Sequence, residues 1–119
     1  MPRRAGTFGA MSVVAPDLQA AAVAVDLADR VVRAGVAHLA ATGSVDEQQV
    51  LAYDLSHAAS AVATGRALLD YGALGDDEGL IACAFIADAV ADLAAKLFGR
   101  EADWDAEPGA LDGARSFVA

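Results

Sequence analysis

The stretch Leu51–Gly99 constrains this chain most. It reads LAYDLSHAASAVATGRALLDYG, then a short Gly/Asp-rich turn, then EGLIACAFIADAVADLAAKLFG. Apolar residues recur every three to four positions on both sides of the turn, the signature of two long amphipathic helices joined as an antiparallel hairpin. In the second helix Leu51, Leu55, Ala58, Val62, Gly65 and Leu69 form the packing seam. Gly65 costs roughly 1 kcal/mol of helix propensity relative to alanine, so the seam predicts close approach of a neighbouring backbone there. In the third helix Cys83, Ile86, Val90, Leu93 and Leu97 make the seam, and Asp88, Asp92 and Lys96 the wet face. Leu80, Ile81, Phe85 and Phe98 lie off that seam. A helix apolar on two faces needs neighbours on two sides.

Before the hairpin, a first helix is predicted from Asp17 to Thr42, with Pro16 at its start and Gly43 as its stop. Leu18, Ala22, Val25, Val32, Val36 and Leu39 follow helical spacing, and Asp26, Arg30 and Arg33 take the other face. Ser44-Val45-Asp46-Glu47 is a capping-box pattern that predicts the start of the second helix. Asp76 and Asp77 are candidate caps for the third. After Gly99 comes a polar linker, Arg100 to Glu107, which holds the only tryptophan. Pro108 opens a further helical pattern through Leu111, Ala114, Phe117 and Val118. That pattern is still running at Ala119, so the expectation is a piece of a longer protein. The fold class predicted is all-α: an antiparallel bundle of three long helices plus a short C-terminal helix. Residues 1–16 are expected to be disordered, 17–99 to form the bundle, and 100–119 to be linker and further helix.

Composition limits function more than it suggests one. Eight basic and 17 acidic residues among 119 give a net charge of −9. Nucleic acid and anionic membrane need Lys/Arg clusters, and one lysine with scattered arginines does not supply them. Asp26 and Asp29 interrupt the apolar run of the first helix, so no membrane span is expected, and nothing after Arg3-Arg4 reads as a signal peptide. The cytoplasm is the default compartment. The single Cys83 excludes an internal disulfide and reads as a small buried hydrophobe, since its neighbours in sequence are apolar or acidic rather than basic.

Asp54, His57 and Ser60 list the residue types of a catalytic triad at three-residue spacing. Successive turns of one helix do not bring a base onto an activated hydroxyl beside an oxyanion hole, so the expected arrangement is a polar stripe with a His57–Asp54 contact. Tyr53 and His57 read as a packed or partner-facing pair. No Glu-x-x-His motif occurs, and His38 and His57 fall on different helices, so no metal centre is expected. There is no strand–Gly-rich-loop signature for a phosphate. Catalytic, cofactor and metal residues are thus all predicted to be none.

The strings LAYDLSHAASAV, RALLDYGALGDDE, IACAFIADAVADLAAKLFGRE and PGALDGARSFVA resemble the α-helical N-terminal extension of long-form bacterial acyl-CoA dehydrogenases, of the 2-methylsuccinyl-CoA dehydrogenase type. The resemblance spans Leu51 to the C-terminal residues, somewhat more than half the chain. It implies an accessory domain ahead of an FAD-dependent catalytic module, in a family commonly dimeric or tetrameric. In that family FAD and the proton-abstracting glutamate belong to later domains, so no residue role carries over to this chain. The expected partners are those catalytic domains or a second copy, a homo-oligomer being anticipated. Leu80, Phe85, Phe98, Leu111, Phe117 and Val118 are the candidate docking residues. The alternative expectation is a free-standing helical protein that dimerises through an apolar helix face.

Overall fold

A computed structural model describes residues 15–43 and 46–119. Three long helices pack against one another: α1 (Leu18–Thr42), α2 (Gln49–Gly72) and α3 (Asp76–Leu97). Two 3-10 turns, Glu101–Trp104 and Asp112–Ala114, and the single-turn α4 (Arg115–Val118) follow. No strand occurs among the described residues. The predicted fold class is the observed one.

Each helix begins for a different local reason. The Asp17 carboxylate accepts a hydrogen bond from the Ala20 N–H at 2.9 Å and caps α1. This satisfies one of the amide donors left open at a helix start. The Ser44–Val45 half of the capping box lies outside the described residues. A turn at residues 46–48 delays α2 to Gln49, later than that pattern predicts. Gln48 instead reaches back, its side-chain amide donating to Thr42 Oγ1 at 3.3 Å, and so ties the end of α1 to the start of α2. The third helix has Gly75 as its N-cap and no side-chain cap. Asp76 and Asp77, expected as caps, stand with Glu78 inside the first turn, opposite Lys96 in the last. They act through the helix dipole, anions at its positive end and a cation at its negative end.

The core is built from small residues at one end and large ones at the other. Near the α2–α3 turn, Gly72 and Gly79 let the helices touch. A Cβ on Gly72 would stand 3.0 Å from Ala82 Cβ and 3.3 Å from the Gly79 Cα. Ala21 and Ala24 of α1 are fully buried. Pro16, predicted as part of the disordered lead, packs here: a Cβ on Gly79 would lie 2.8 Å from its ring. Residues 1–14 of that lead lie outside the described part.

At the opposite end Leu51, Leu55, Leu93 and Leu97 hold the helices apart, and Trp104 fills the opening. Trp104 is 0% exposed. Gly35 of α1 makes room for it, since a Cβ there would come within 3.3 Å of the Trp104 ring and 2.7 Å of Leu55 Cδ2. The predicted polar linker is therefore a core element. Its surface acids, Asp103 and Asp105, are what made it read as linker.

Gly65 is approached by the side chains of Val25 and Ile86, at 3.3 and 3.4 Å from a notional Cβ, and not by a backbone as predicted. Val36, predicted to face inward, is half exposed on the flank of α1.

Candidate docking surface

The bundle has three seams between its long helices, and each is closed differently. Between α1 and α2, Arg66 forks onto two carboxylates, Asp26 at 3.0 Å and Asp29 at 3.3 Å, while Arg33 holds Asp29 at 2.8 Å. The Arg33 hydrogen bond, helped by Arg66, keeps the Asp29 carboxyl below its ordinary value against the opposing effect of burial. Its partner Arg66 is shifted upward, chiefly by the hydrogen bond to Asp26.

Between α1 and α3 lies the C-terminal tail. Trp104 and Ala114 are buried there, and Ala106, Ala110, Leu111, Phe117 and Val118 pack partly on the same core. Leu111 and Val118 line a cleft with Val90, Ala91 and Ala94 of α3. The tail is anchored at its root by Arg100, which donates to the Asp54 carboxylate of α2 at 3.0 Å. The neighbour that the second apolar face of α3 required is, on this side, the chain's own tail.

Between α2 and α3 nothing lies over the seam among the described residues. A slot runs down to Val25 and Ala28 of α1, walled by Ala58, Ala61, Gly65 and Ala89, with His57 and Asp92 beside its mouth. Its cavity volume is about 30 Å³, room for a water or a methyl-sized probe but far less than an aromatic ligand needs.

The six candidate docking residues consequently divide. Leu111, Phe117 and Val118 are engaged within the chain, and Phe85 is half-buried against the core. Leu80 is 42% exposed and Phe98, just past the end of α3, is 85% exposed. Leu80 lines a groove with Val23, Cys83 and Phe117. Cys83, predicted as buried, is only partly so. The outward side of α3 between Leu80 and Phe98 exposes Ile81, Ala84, Ala91 and Ala95, with Asp88 and Asp92 as its exposed charges. Sequence reasoning named its two ends. It missed Val23 on α1 and the exposed Tyr71 of α2, which periodicity does not distinguish from other surface positions, while Tyr53, read as packed or partner-facing with His57, is exposed and lies against that ring.

The triad-like residues go three separate ways. Asp54 is buried on Arg100, so the expected His57–Asp54 contact is replaced by an ion pair to the tail. His57 lies against Tyr53, ring centroids 4.4 Å apart and tilted by 51°. Ser60 is exposed. Among the described residues no three His, Cys, Asp or Glu side chains gather as a metal site, and no helix is long and apolar enough to cross a membrane. A polar cleft of about 640 Å³ at the α1–α2 end is lined by His38, Thr42, Gln48, Arg100 and Asp103. Its arginine is already committed to Asp54 and, at 3.7 Å, Asp103.

No family model matches this chain, and neither the curated proteins nor the solved structures contain a match to it.

Proposed function

We propose that this chain is a helical accessory domain that docks or assembles a larger enzyme and has no chemistry of its own. The observation that carries the reading is the outward side of α3, where Leu80, Ile81 and Phe98 stand in water beside a run of alanines. Exposed apolar surface of that extent on a small bundle marks an interaction site more often than a neutral surface. The partner is the catalytic module of an FAD-dependent acyl-CoA dehydrogenase, in the cytoplasm. Support for that partner is the resemblance of four segments between Leu51 and Ala119 to the extension of long-form members. In this reading FAD and the acyl-CoA sit wholly on the partner module, and the bundle contributes packing.

The test is to purify the product of the complete reading frame that contains these 119 residues and to record its flavin spectrum and acyl-CoA oxidation. A flavoprotein that oxidises an acyl-CoA supports the reading, provided Leu80→Glu with Phe98→Glu frees the bundle for limited proteolysis. A product without flavin absorbance sinks the acyl-CoA dehydrogenase assignment. A flavoprotein whose proteolysis is unchanged by the two substitutions sinks the docking face.

A further inference from the structure

The tail, residues 100–119, is hydrogen-bonded to itself. The backbone N–H groups of Asp103, Ala106, Ala110, Ala114 and Ala119 all donate to carbonyls within the tail. The Arg115–Asp112 ion pair is internal as well. Its backbone link to the helices runs along the chain, from the Arg100 N–H to the carbonyl of Leu97 at the end of α3. Lifting the tail off the bundle breaks none of these bonds. The closest contacts between the long helices, at Gly72, Gly79 and Gly65, are also made without it.

Apolar packing and one latch hold the tail in place. Trp104 and Ala114 enter the same core, and the internally bonded turns join them, so they leave it together. The latch is Arg100 on the Asp54 carboxylate of α2, at 3.0 Å. Two things work against this attachment. The Trp104 indole N–H is buried with no acceptor among the described residues, and such a donor regains a hydrogen bond in water. The tail also carries five acids against two arginines. The rest of the chain is acidic too, so docking brings like charge together. A joint is present at Gly99, which has a φ of 78° and nothing within 4 Å of the place a Cβ would take. Glycine adopts left- and right-handed backbone values with similar ease, and the space around this one leaves the joint sterically open.

We infer that residues 100–119 are a strap that opens from the three-helix unit in one piece, turning at Gly99 and latched by Arg100 on Asp54. Opening bares the socket beside Gly35 and Leu55 and the cleft along Val90, Ala91 and Ala94 of α3. Helices α1, α2 and α3 stay folded meanwhile, as separate cooperative units of one domain do. The strap works in this way whether or not the outward side of α3 meets a flavoprotein.

Hydrogen exchange of the 119-residue chain, followed proton by proton by NMR where it reports the opening equilibrium, gives the test. The amides of Ala106, Ala110 and Ala114 and the Trp104 indole N–H share one protection, lower than that of the Ala24 and Ile86 amides in α1 and α3. Arg100→Gln raises exchange at all four tail protons alike, by about tenfold, through loss of the charged hydrogen bond. Gly72→Ala crowds the far end of the bundle. It raises exchange at Ala24 and Ile86 by about tenfold and leaves the four tail protons as they were. Circular dichroism confirms that each variant retains its helices. Tail protons as well protected as Ala24 and Ile86 overturn the inference. So does a Gly72→Ala effect of equal size in tail and helices, because the tail then opens only with the whole chain. Unequal effects of Arg100→Gln along the tail overturn it too, since the segment then frays residue by residue.

Discussion

The two ends of this bundle solve the same packing problem in opposite ways. At the α2–α3 turn the helices are drawn together by residues with no side chain to separate them, Gly72 against Gly79 and Ala82. At the other end leucines spread the helices, and Trp104 fills the space from outside the three-helix unit. The first end needs no further segment; the second is incomplete without the tail. Alanine-rich helices make the contrast possible, because alanine gives strong helix propensity and little bulk, so a few large or absent side chains decide the local spacing.

The sharpest way to break the Trp-filled end is Trp104→Ala, which should cost about 3–5 kcal/mol in urea or thermal unfolding, as for other buried aromatic truncations. Against a whole-domain stability of roughly 5–15 kcal/mol this is a large share. The indole N–H has no acceptor among the described residues, so packing alone holds the ring, and Trp104→Phe should cost about half as much or less. Equal losses for the two variants would contradict that account.

At the glycine end Gly72→Ala should destabilise by about 1–3 kcal/mol despite the better helix propensity of alanine, since the added methyl meets Ala82 Cβ and the Gly79 backbone. Asp54→Ala, which releases the root of the tail, should cost about 1–2 kcal/mol, because Arg100 is one-third exposed and can turn to water once its partner is gone. Gly65→Ala, halfway between the ends and beside the open slot, should change stability by less than about 0.5 kcal/mol. There the gain in propensity and the mild crowding by Val25 and Ile86 offset each other. A loss at Gly65 as large as that at Gly72 would erase the distinction between the tight end and the slot.

The smallest effect is electrostatic. Asp29 is held below its ordinary value of 3.8 in the folded chain, so the unfolded chain binds the proton first as pH falls. The Arg33–Asp29–Arg66 contribution is therefore fully present above the unfolded value and is lost as pH drops through the lower folded one. Exposure and solvent screening limit it to about a few tenths of a kcal/mol. Asp29→Asn should flatten stability against pH only in that acid window.

Helix order, the antiparallel hairpin and the Ile86–Val90–Leu93–Leu97 seam were legible because 3.6-residue periodicity is a local property written into each segment. Trp104 was not, because its socket is assembled from residues about 50 and 70 positions away, Leu55 and Gly35. Its own neighbours in sequence are acids. One signal was available: a glycine well inside a helix and a lone tryptophan beyond the bundle are complementary in size. The Asp54 assignment failed for a similar reason. Helical spacing offered His57 as a partner, while Arg100 is 46 residues distant and comes near only when the tail turns back after Leu97. Of the candidate docking residues, periodicity found the apolar faces of α3 but could not tell which the tail would cover.

Trp104 also gives this chain an internal optical reporter. It is the only tryptophan, and both tyrosines lie on α2 and are exposed. Excitation at the red edge of the indole band therefore reads one place, the socket between Gly35 and Leu55. Emission that shifts to longer wavelength before the helical ellipticity falls would time the release of the tail separately from the melting of the three helices.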